Sequence, residues 1–381
     1  MFHVYVLVAC IYLICRLVLP LPVAKTWKAV AALILVIIAQ YHAIQIVIFG
    51  SMFSPEMPRN WIIVCGWAFC SFVLLTGTVL LLDLIHLGMR GLSKDPGQIM
   101  TARNKAIAAM LVALISGYGV QQATQVPPIR RVTIEASNLP PEFEGMRIVQ
   151  LSDLHISRLF DAPWTRELVA KTNALNGDLV VITGDLIDGT PEARQHDVAA
   201  LSDLRAALSD LRAAFGVIAI PGNHEYYFQE QRWRHAFEQL GMKVLVNDHL
   251  IIDRAGGKLA IAGVTDEVAV DYQAAAPNLS KAISGVPSSV PIVLLKHRPQ
   301  NAGDSAAAGV AIQLSGHTHG GMILGLSQIA RFANDGFISG IYRVGAMTLY
   351  VSNGTALWNG FPIRLGVPSE ITELTLRTRH H

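Results

Sequence analysis

Three apolar stretches in immediate succession, residues 4–23, 29–50 and 61–84, set the first limit on what this chain can become. Each approaches or exceeds the roughly 20 residues that a helix needs to cross hydrocarbon. A fourth stretch, residues 106–120, is shorter and holds Gly117 and Gly119. A cleaved leader accounts for the first stretch but not for the next two, so the pattern predicts stable anchoring. The expectation is a transmembrane helical region over residues 1–125 with about four spans. Composition agrees, with 52% hydrophobic residues, 15% charged residues and a mean hydropathy of +0.40.

Loop charge gives an orientation. Lys25 and Lys28 lie in the first connection, and Arg90, Lys94, Arg103 and Lys105 in the third, whereas Arg59 in the second is balanced by Glu56. Basic loops stay in the cytoplasm, so four spans put the rest of the chain on the outer face. If the fourth stretch does not cross, the following domain is cytoplasmic. Arg16, Gln40, His42, Gln45 and Asp83 fall within the stretches, mostly near their ends, where snorkelling to the interface accounts for them.

Beyond Pro127 the character changes. Before it there are eight Lys/Arg and three Asp/Glu; from it onward, 22 and 25. A slightly acidic remainder argues against a nucleic-acid surface. All four cysteines, Cys10, Cys15, Cys65 and Cys70, precede it, which excludes a disulfide framework or a cysteine zinc site in residues 126–381.

That second domain alternates short β-branched runs with helical stretches. Strands are predicted at 131–136, 146–151, 179–183, 217–220, 259–264, 292–295, 310–314 and 348–351, and helices at 164–176, 192–214 and 229–240. Residues 243–264, with a Gly256-Gly257 turn, read as a hairpin. The fold class expected is an α/β sandwich whose sheets mix parallel and antiparallel strands.

Polar clusters follow five of these strands: Ser152-Asp153-Leu154-His155, Gly184-Asp185-Leu186-Ile187-Asp188, Gly222-Asn223-His224-Glu225, His297-Arg298-Pro299, and Ser315-Gly316-His317-Thr318-His319-Gly320-Gly321. In layered α/β folds ligands bind beyond the carboxyl ends of strands. Taken singly, Asp153 and Asp185 can be helix caps and Asn223 a turn former. His317 and His319, two apart on extended backbone, would point to one face. Imidazole, carboxylate and amide ligands together suit Mn, Fe or Zn better than Ca or Mg.

These motifs in this order, DxH, GDxxD, GNHE, a lone His and GHTH, resemble the calcineurin-like metallophosphoesterase family from Met146 to Gly321, with residues 348–370 also in keeping. SDLH with GHTHGG is similar to its membrane-associated or exported bacterial subgroup, many of whose members carry Gln where this chain has Met322. That departure falls on substrate contacts rather than on metal binding.

The resemblance implies a two-sheet sandwich flanked by helices and a pair of divalent metals. One would be held by Asp153, His155, Asp185 and His319, the other by Asn223, His297 and His317 with Asp185 shared. It implies attack by a metal-bridging hydroxide on a phosphomono- or phosphodiester, with His224 as general acid oriented by Asp188. The expected partners are a phosphate ester, lipid-linked phosphates included, and the bilayer. A cytoplasm-facing pyrophosphatase or phosphodiesterase acting on a nucleotide-linked lipid, and a non-enzymatic metal-sensing membrane protein, stay open as alternatives, as does the oligomeric state. Arg298 reads either as a phosphate contact or as a surface ion pair, and Glu225 as support or as exposed. His196, His235 and His249 read as structural.

Overall fold

The computed structural model describes residues 2–91, 101–204 and 216–379. It divides into two compact units, Met1–Gln122 with Asn359–Ile363, and Ala123–Trp358 with Arg364–His381.

The first unit is helical: α1 (Phe2–Leu13, continued by a π-turn at Ile14–Val18), α2 (Lys25–Ala39), α3 (Tyr41–Phe49), α4 (Arg59–Gly91) and α5 (Ala102–Thr124). Four clear spans are not what forms. Among the described residues, two helices are long and apolar enough to cross, within α4 and α5, and α2 with α3 makes a third only if the 61° bend between them is counted as part of one span. The first stretch stops short because Pro20 and Pro22 cannot continue its helix. The second breaks at Gln40, next to a buried His42 whose ring lies 2.9 Å from the Gly360 carbonyl. The shortest stretch becomes a full 23-residue helix because its polar first turn, with Arg103 and Lys105, is helical too. Within the first stretch, the Arg16 guanidinium meets Asp83 through two bonds of 2.6 and 2.7 Å, and Tyr12 donates to the same carboxylate at 2.7 Å.

The second unit holds twelve strands among the described residues: β1 (Ile129–Ala136), β2 (Arg147–Leu151), β3 (Leu179–Thr183), β4 (Val217–Ile220), β5 (Lys243–Val244), β6 (Asp248–Arg254), β7 (Gly257–Gly263), β8 (Ile292–Leu295), β9 (Ile312–Ser315), β10 (Gly340–Val344), β11 (Met347–Val351) and β12 (Ile371–Thr378). Between them run α6 (Ala162–Asn173), α7 (Pro191–Val198), α8 (Asn223–Tyr227), α9 (Glu230–Gln239), α10 (Leu279–Ala282), α11 (Ala302–Ala307) and α12 (Ser327–Phe332). Of the predicted helix 192–214, α7 and a 3-10 turn (Ala199–Asp203) form, and 205–214 lies outside the described residues.

Two six-stranded mixed sheets result, ordered β1-β12-β2-β3-β4-β5 and β10-β11-β9-β8-β7-β6. In the first, β2 to β5 are parallel and β12 runs antiparallel to β2; in the second, β7, β8, β9 and β11 are parallel, with β6 and β10 antiparallel at the edges. Alternation along each strand sorts side chains between layers. Ile148, Val181 and Ile218 meet Ile261, Val293, Leu314 and Tyr350 between the sheets. Ala260, Ala262, Leu294 and Leu349 face the outer layer with Ala282 and Ala302. Burial on both faces explains why these strands read as unbroken apolar runs. Truncating Ile148, fully buried between the sheets, to alanine should cost about 2–5 kcal/mol of unfolding free energy; a urea midpoint unchanged by this substitution would contradict the packing.

Candidate metal centre

The parallel strands β2, β3 and β4 of one sheet and β8 and β9 of the other end at a common edge, and the five polar clusters leave from those ends. Main-chain bonds lash the clusters together: Asp153 N–H donates to Gly184 O at 3.0 Å, His155 N–H to Asp185 O at 3.0 Å, and Gly316 N–H to His297 O at 2.9 Å. Across the sheets, His297 Nδ1 lies 2.7 Å from the Thr183 carbonyl, which leaves Nε2 facing inward.

The local backbone is unusual. Asp153, His155, Asp185, His317 and His319 all have positive φ, from 43° to 67°. L-residues visit this region at a cost, and such residues gather at functional sites. It overturns the extended reading of His317 and His319. Their rings do not share a face; each left-handed residue turns its imidazole to a different group. Two glycines permit the crowding. A Cβ on Gly316 would collide with Ser152 and Asp153, and one on Gly184 would sit 2.7 Å from both Gly222 Cα and His297 Nδ1.

Among the described residues, three groups of ligand-type side chains bring one atom each within 4.8 Å of one another: Asp153, His155 and His319; Asp185, His297 and His317; and His155, Asp188 and His224. Asp185 lies at the middle. Its Oδ2 is 3.2 Å from His297 Nε2, 3.8 Å from His155 Nε2 and 4.0 Å from His224 Nε2. Asn223 Oδ1 is 3.2 Å from His297 Nε2, and His317 Nδ1 is 3.3 Å from that same nitrogen. Asp153 accepts from Ser152 Oγ at 2.6 Å and from His317 N–H at 3.1 Å, with His319 Nε2 at 3.8 Å. Asp188 Oδ1 stands 2.5 Å from His224 Nδ1 and 3.4 Å from His155 Nδ1.

So many buried ionisable groups perturb one another strongly. Burial opposes charge on His224 and His297, but Asp188 and Asp185 beside the former, and Asp185 and Asp153 beside the latter, raise them to about 9 and about 10. Burial likewise opposes ionisation of Asp185, yet the positive His297 and His224 hold it well below the carboxylate range. Asp153 is raised, mainly by burial. His317 and His319 are pushed well down, by burial and then by His297 and His155 respectively. A neutral imidazole is the form that ligates a cation. The residues suit a cation in a second way: His155 Nε2 is buried with no hydrogen-bond partner while facing the Asp185 carboxylate. The buried carboxylates of Asp153, Asp185 and Asp188 are costly to keep ionised without positive charge beside them.

The surroundings sort the remaining expectations. Glu225 is buried, not exposed, and accepts from the N–H groups of Gly222, Asp185 and Leu186. Burial and the neighbouring Asp185 push it up to about 7, against the N–H groups of Gly222 and Leu186. Arg298 pairs with Asp266 through bonds of 2.8 and 3.1 Å. Tyr226, Phe228 and Trp233 are core, whereas Tyr227 is half-buried with its ring 5.1 Å from that of His224. Away from the centre, His196 is exposed on α7, His235 lies near Gln239, and His249 Nδ1 is 2.8 Å from Ala282 O.

Arg364 is the residue that sequence reasoning missed. Its guanidinium is buried and donates to the carbonyls of His319, Asn353 and Ala356. Burial pulls its pKa down to about 10. Nothing in its local sequence signals this, because its partners are main-chain carbonyls, which no residue type announces. Arg364→Met should cost about 2–4 kcal/mol by orphaning those carbonyls, and Arg364→Lys should not recover it, since a point charge cannot span them. Thermal unfolding would test both; full recovery by lysine would contradict the planar-fork account.

A two-sheet sandwich with a His/Asp centre at its strand ends is the architecture these observations define. Residues 146–321 match the family described as calcineurin-like phosphoesterase. The chain is 33% identical over 288 residues to a transmembrane protein with metallophosphoesterase domain from Bos taurus, covering 72% of this chain and 63% of that protein. It is 30% identical over 286 residues to the uncharacterized metallophosphoesterase YkuE of Bacillus subtilis (strain 168), covering 72% of this chain and 94% of that one. Among solved structures, a 5′-nucleotidase precursor from Thermus thermophilus aligns with a TM-score of 0.36 and 15% identity, over 55% of this chain and 49% of that one. The chain belongs to the calcineurin-like phosphoesterase family. It spans 63% of the length of the Danio rerio and Bos taurus transmembrane relatives.

Proposed function

We propose that this chain is a membrane-anchored, dinuclear metallophosphoesterase that hydrolyses phosphomono- or phosphodiesters, with residues 1–125 as anchor and 126–381 as the hydrolytic domain. The observation that carries this reading is the central Asp185 carboxylate, within 4.0 Å of His155, His224 and His297. Asp153, His155, Asp185 and His319 would hold one cation, and Asn223, His297, His317 and the same Asp185 the other. Mn, Fe or Zn suits this donor set. When bound, the pair supplies Lewis-acid polarisation of phosphoryl oxygens and a water acidified toward neutral pH.

The chain's own groups do the rest. Asp188 holds His224 by Nδ1, which directs Nε2 and its proton toward the side of Asp185. As the bond from phosphorus to the leaving oxygen breaks, His224 Nε2 gives that oxygen its proton, and Asp188 stabilises the ring through the transfer. Glu225 fixes the main chain that carries Asp185 and Asn223.

Orientation rests on α4 and α5 alone. Their facing ends and the connection between them, with Arg90 at the end of α4, Lys94 in the connection and Arg103 and Lys105 in the first turn of α5, belong in the cytoplasm, so α5 delivers the hydrolytic domain to the outer face. A lipid-linked phosphate is the substrate class that anchoring favours. Hydrolysis of a p-nitrophenyl phosphodiester by the full chain, lost on chelation and restored by Mn, tests the chemistry. Absence of turnover with every divalent metal tried removes the enzymatic reading. A reporter fused after Pro128 tests the topology, and a cytoplasmic signal overturns it.

A further inference from the structure

We propose that residues 322–333, the arm that follows the GHTHGG loop, dip into the lipid surface and so seat the mouth of the centre on the bilayer. The proposal goes beyond hydrolysis and rests only on the anchoring part of the reading above.

The arm is apolar where a water-facing segment should not be. Leu324 is 75% exposed, Leu326 47%, Ile329 68% and Phe332 91%. Among the described residues beyond 128, these are four of the nine large apolar side chains that are exposed. Its helix, α12, buries none of its residues. Leu326, Ile329 and Phe332 recur at a spacing of three, with Ala330 and Ala333 beside them, so one face is apolar; Ser327, Gln328 and Arg331 take the other. Arg331 is the single charged residue between Met322 and Ala333. A helix with an apolar face and a basic polar face is the form that lies in a membrane interface.

Lipid is the occupant that the chain itself supplies. Only residues 125–128 separate α5 from β1, a connection that reaches at most about 14 Å. The arm also leads to the centre. It starts at Met322, three residues after His319, and Leu324 N–H donates to Leu365 O at 2.8 Å. Ser327 of the arm, Gly320 of the metal loop and Ile338, Val367 and Pro368 line a cavity of about 450 Å3. A phosphate ester drawn from the lipid surface would therefore find space between the arm and the loop that carries His319.

The test is a depth measurement on the full chain in phosphatidylcholine nanodiscs. A nitroxide is attached at Phe332→Cys, or at Ile329→Cys should the first variant not assemble, with the unsubstituted chain labelled in parallel to subtract its native cysteines. The expected result is a label more accessible to oxygen than to an aqueous nickel chelate. A label more accessible to the chelate overturns the proposal. So does dipolar broadening at the arm that disappears when labelled chains are diluted with unlabelled ones, which would mean that a second copy covers the arm. Turnover of the p-nitrophenyl phosphodiester, measured on the same samples, reports on hydrolysis alone, so the two readings fail separately.

Discussion

Asp185→Asn should lower turnover roughly 1,000-fold, the order expected when several kcal/mol of metal-dependent charge stabilisation is lost. The substitution keeps shape and removes one negative charge from the centre of the cluster, where Asp185 Oδ2 faces three imidazoles. Asp185 Oδ1 also accepts from His224 N–H at 2.9 Å, a bond that the asparagine oxygen can keep. The main chain should therefore hold while metal affinity falls. Elemental analysis after gel filtration should show the variant carrying less metal than the wild type at equal concentration. A variant that keeps both its metal and its rate would remove Asp185 from the shared position assigned to it.

His224→Ala should act differently, lowering kcat by roughly 100- to 10,000-fold while leaving metal content intact. Its defect should depend on the leaving group. A p-nitrophenolate departs with little need of a proton, so its loss should be the smaller; an alkyl ester should show the full effect. Asp188→Asn should reproduce a milder form of the same pattern, because it unsettles the ring that Asp188 holds at 2.5 Å without deleting it. A uniform loss across leaving groups would assign His224 to structure or metal binding instead of proton transfer.

The strand ends could be read from sequence because β2, β3, β4, β8 and β9 are buried on both faces. Continuous apolar runs such as Leu179 to Thr183 stop abruptly at their polar clusters. Short or edge strands gave no such signal: β5 has two residues, and β10 has a mixed burial pattern along its length. The pairing of β1 with β12, from Ile129 opposite Ile371 to Ala136 opposite Thr378, joins distant segments that no local pattern connects. At the centre, residue types were legible and backbone was not. Left-handed turns are usually announced by glycine, but here Asp153, His155, Asp185, His317 and His319 adopt them. In the helical unit, counting apolar residues overstated the spans because run length ignores where a helix ends. Pro20 and Pro22 were visible, and weighing them would have shortened the first.

The bond from His297 Nδ1 to the Thr183 carbonyl ties a residue at the end of one sheet to the last residue of a strand in the other. The centre is thus a gauge of registry between the two sheets. Each proposed cation draws on both sheets, with His319 joining Asp153, His155 and Asp185, and His297 and His317 joining Asn223 and Asp185, so a chain with one sheet assembled and the other slipped lacks the full donor set for either. Metal affinity should accordingly fall steeply when the sheets lose registry, and a trapped half-folded chain should hold metal more weakly than the folded sandwich.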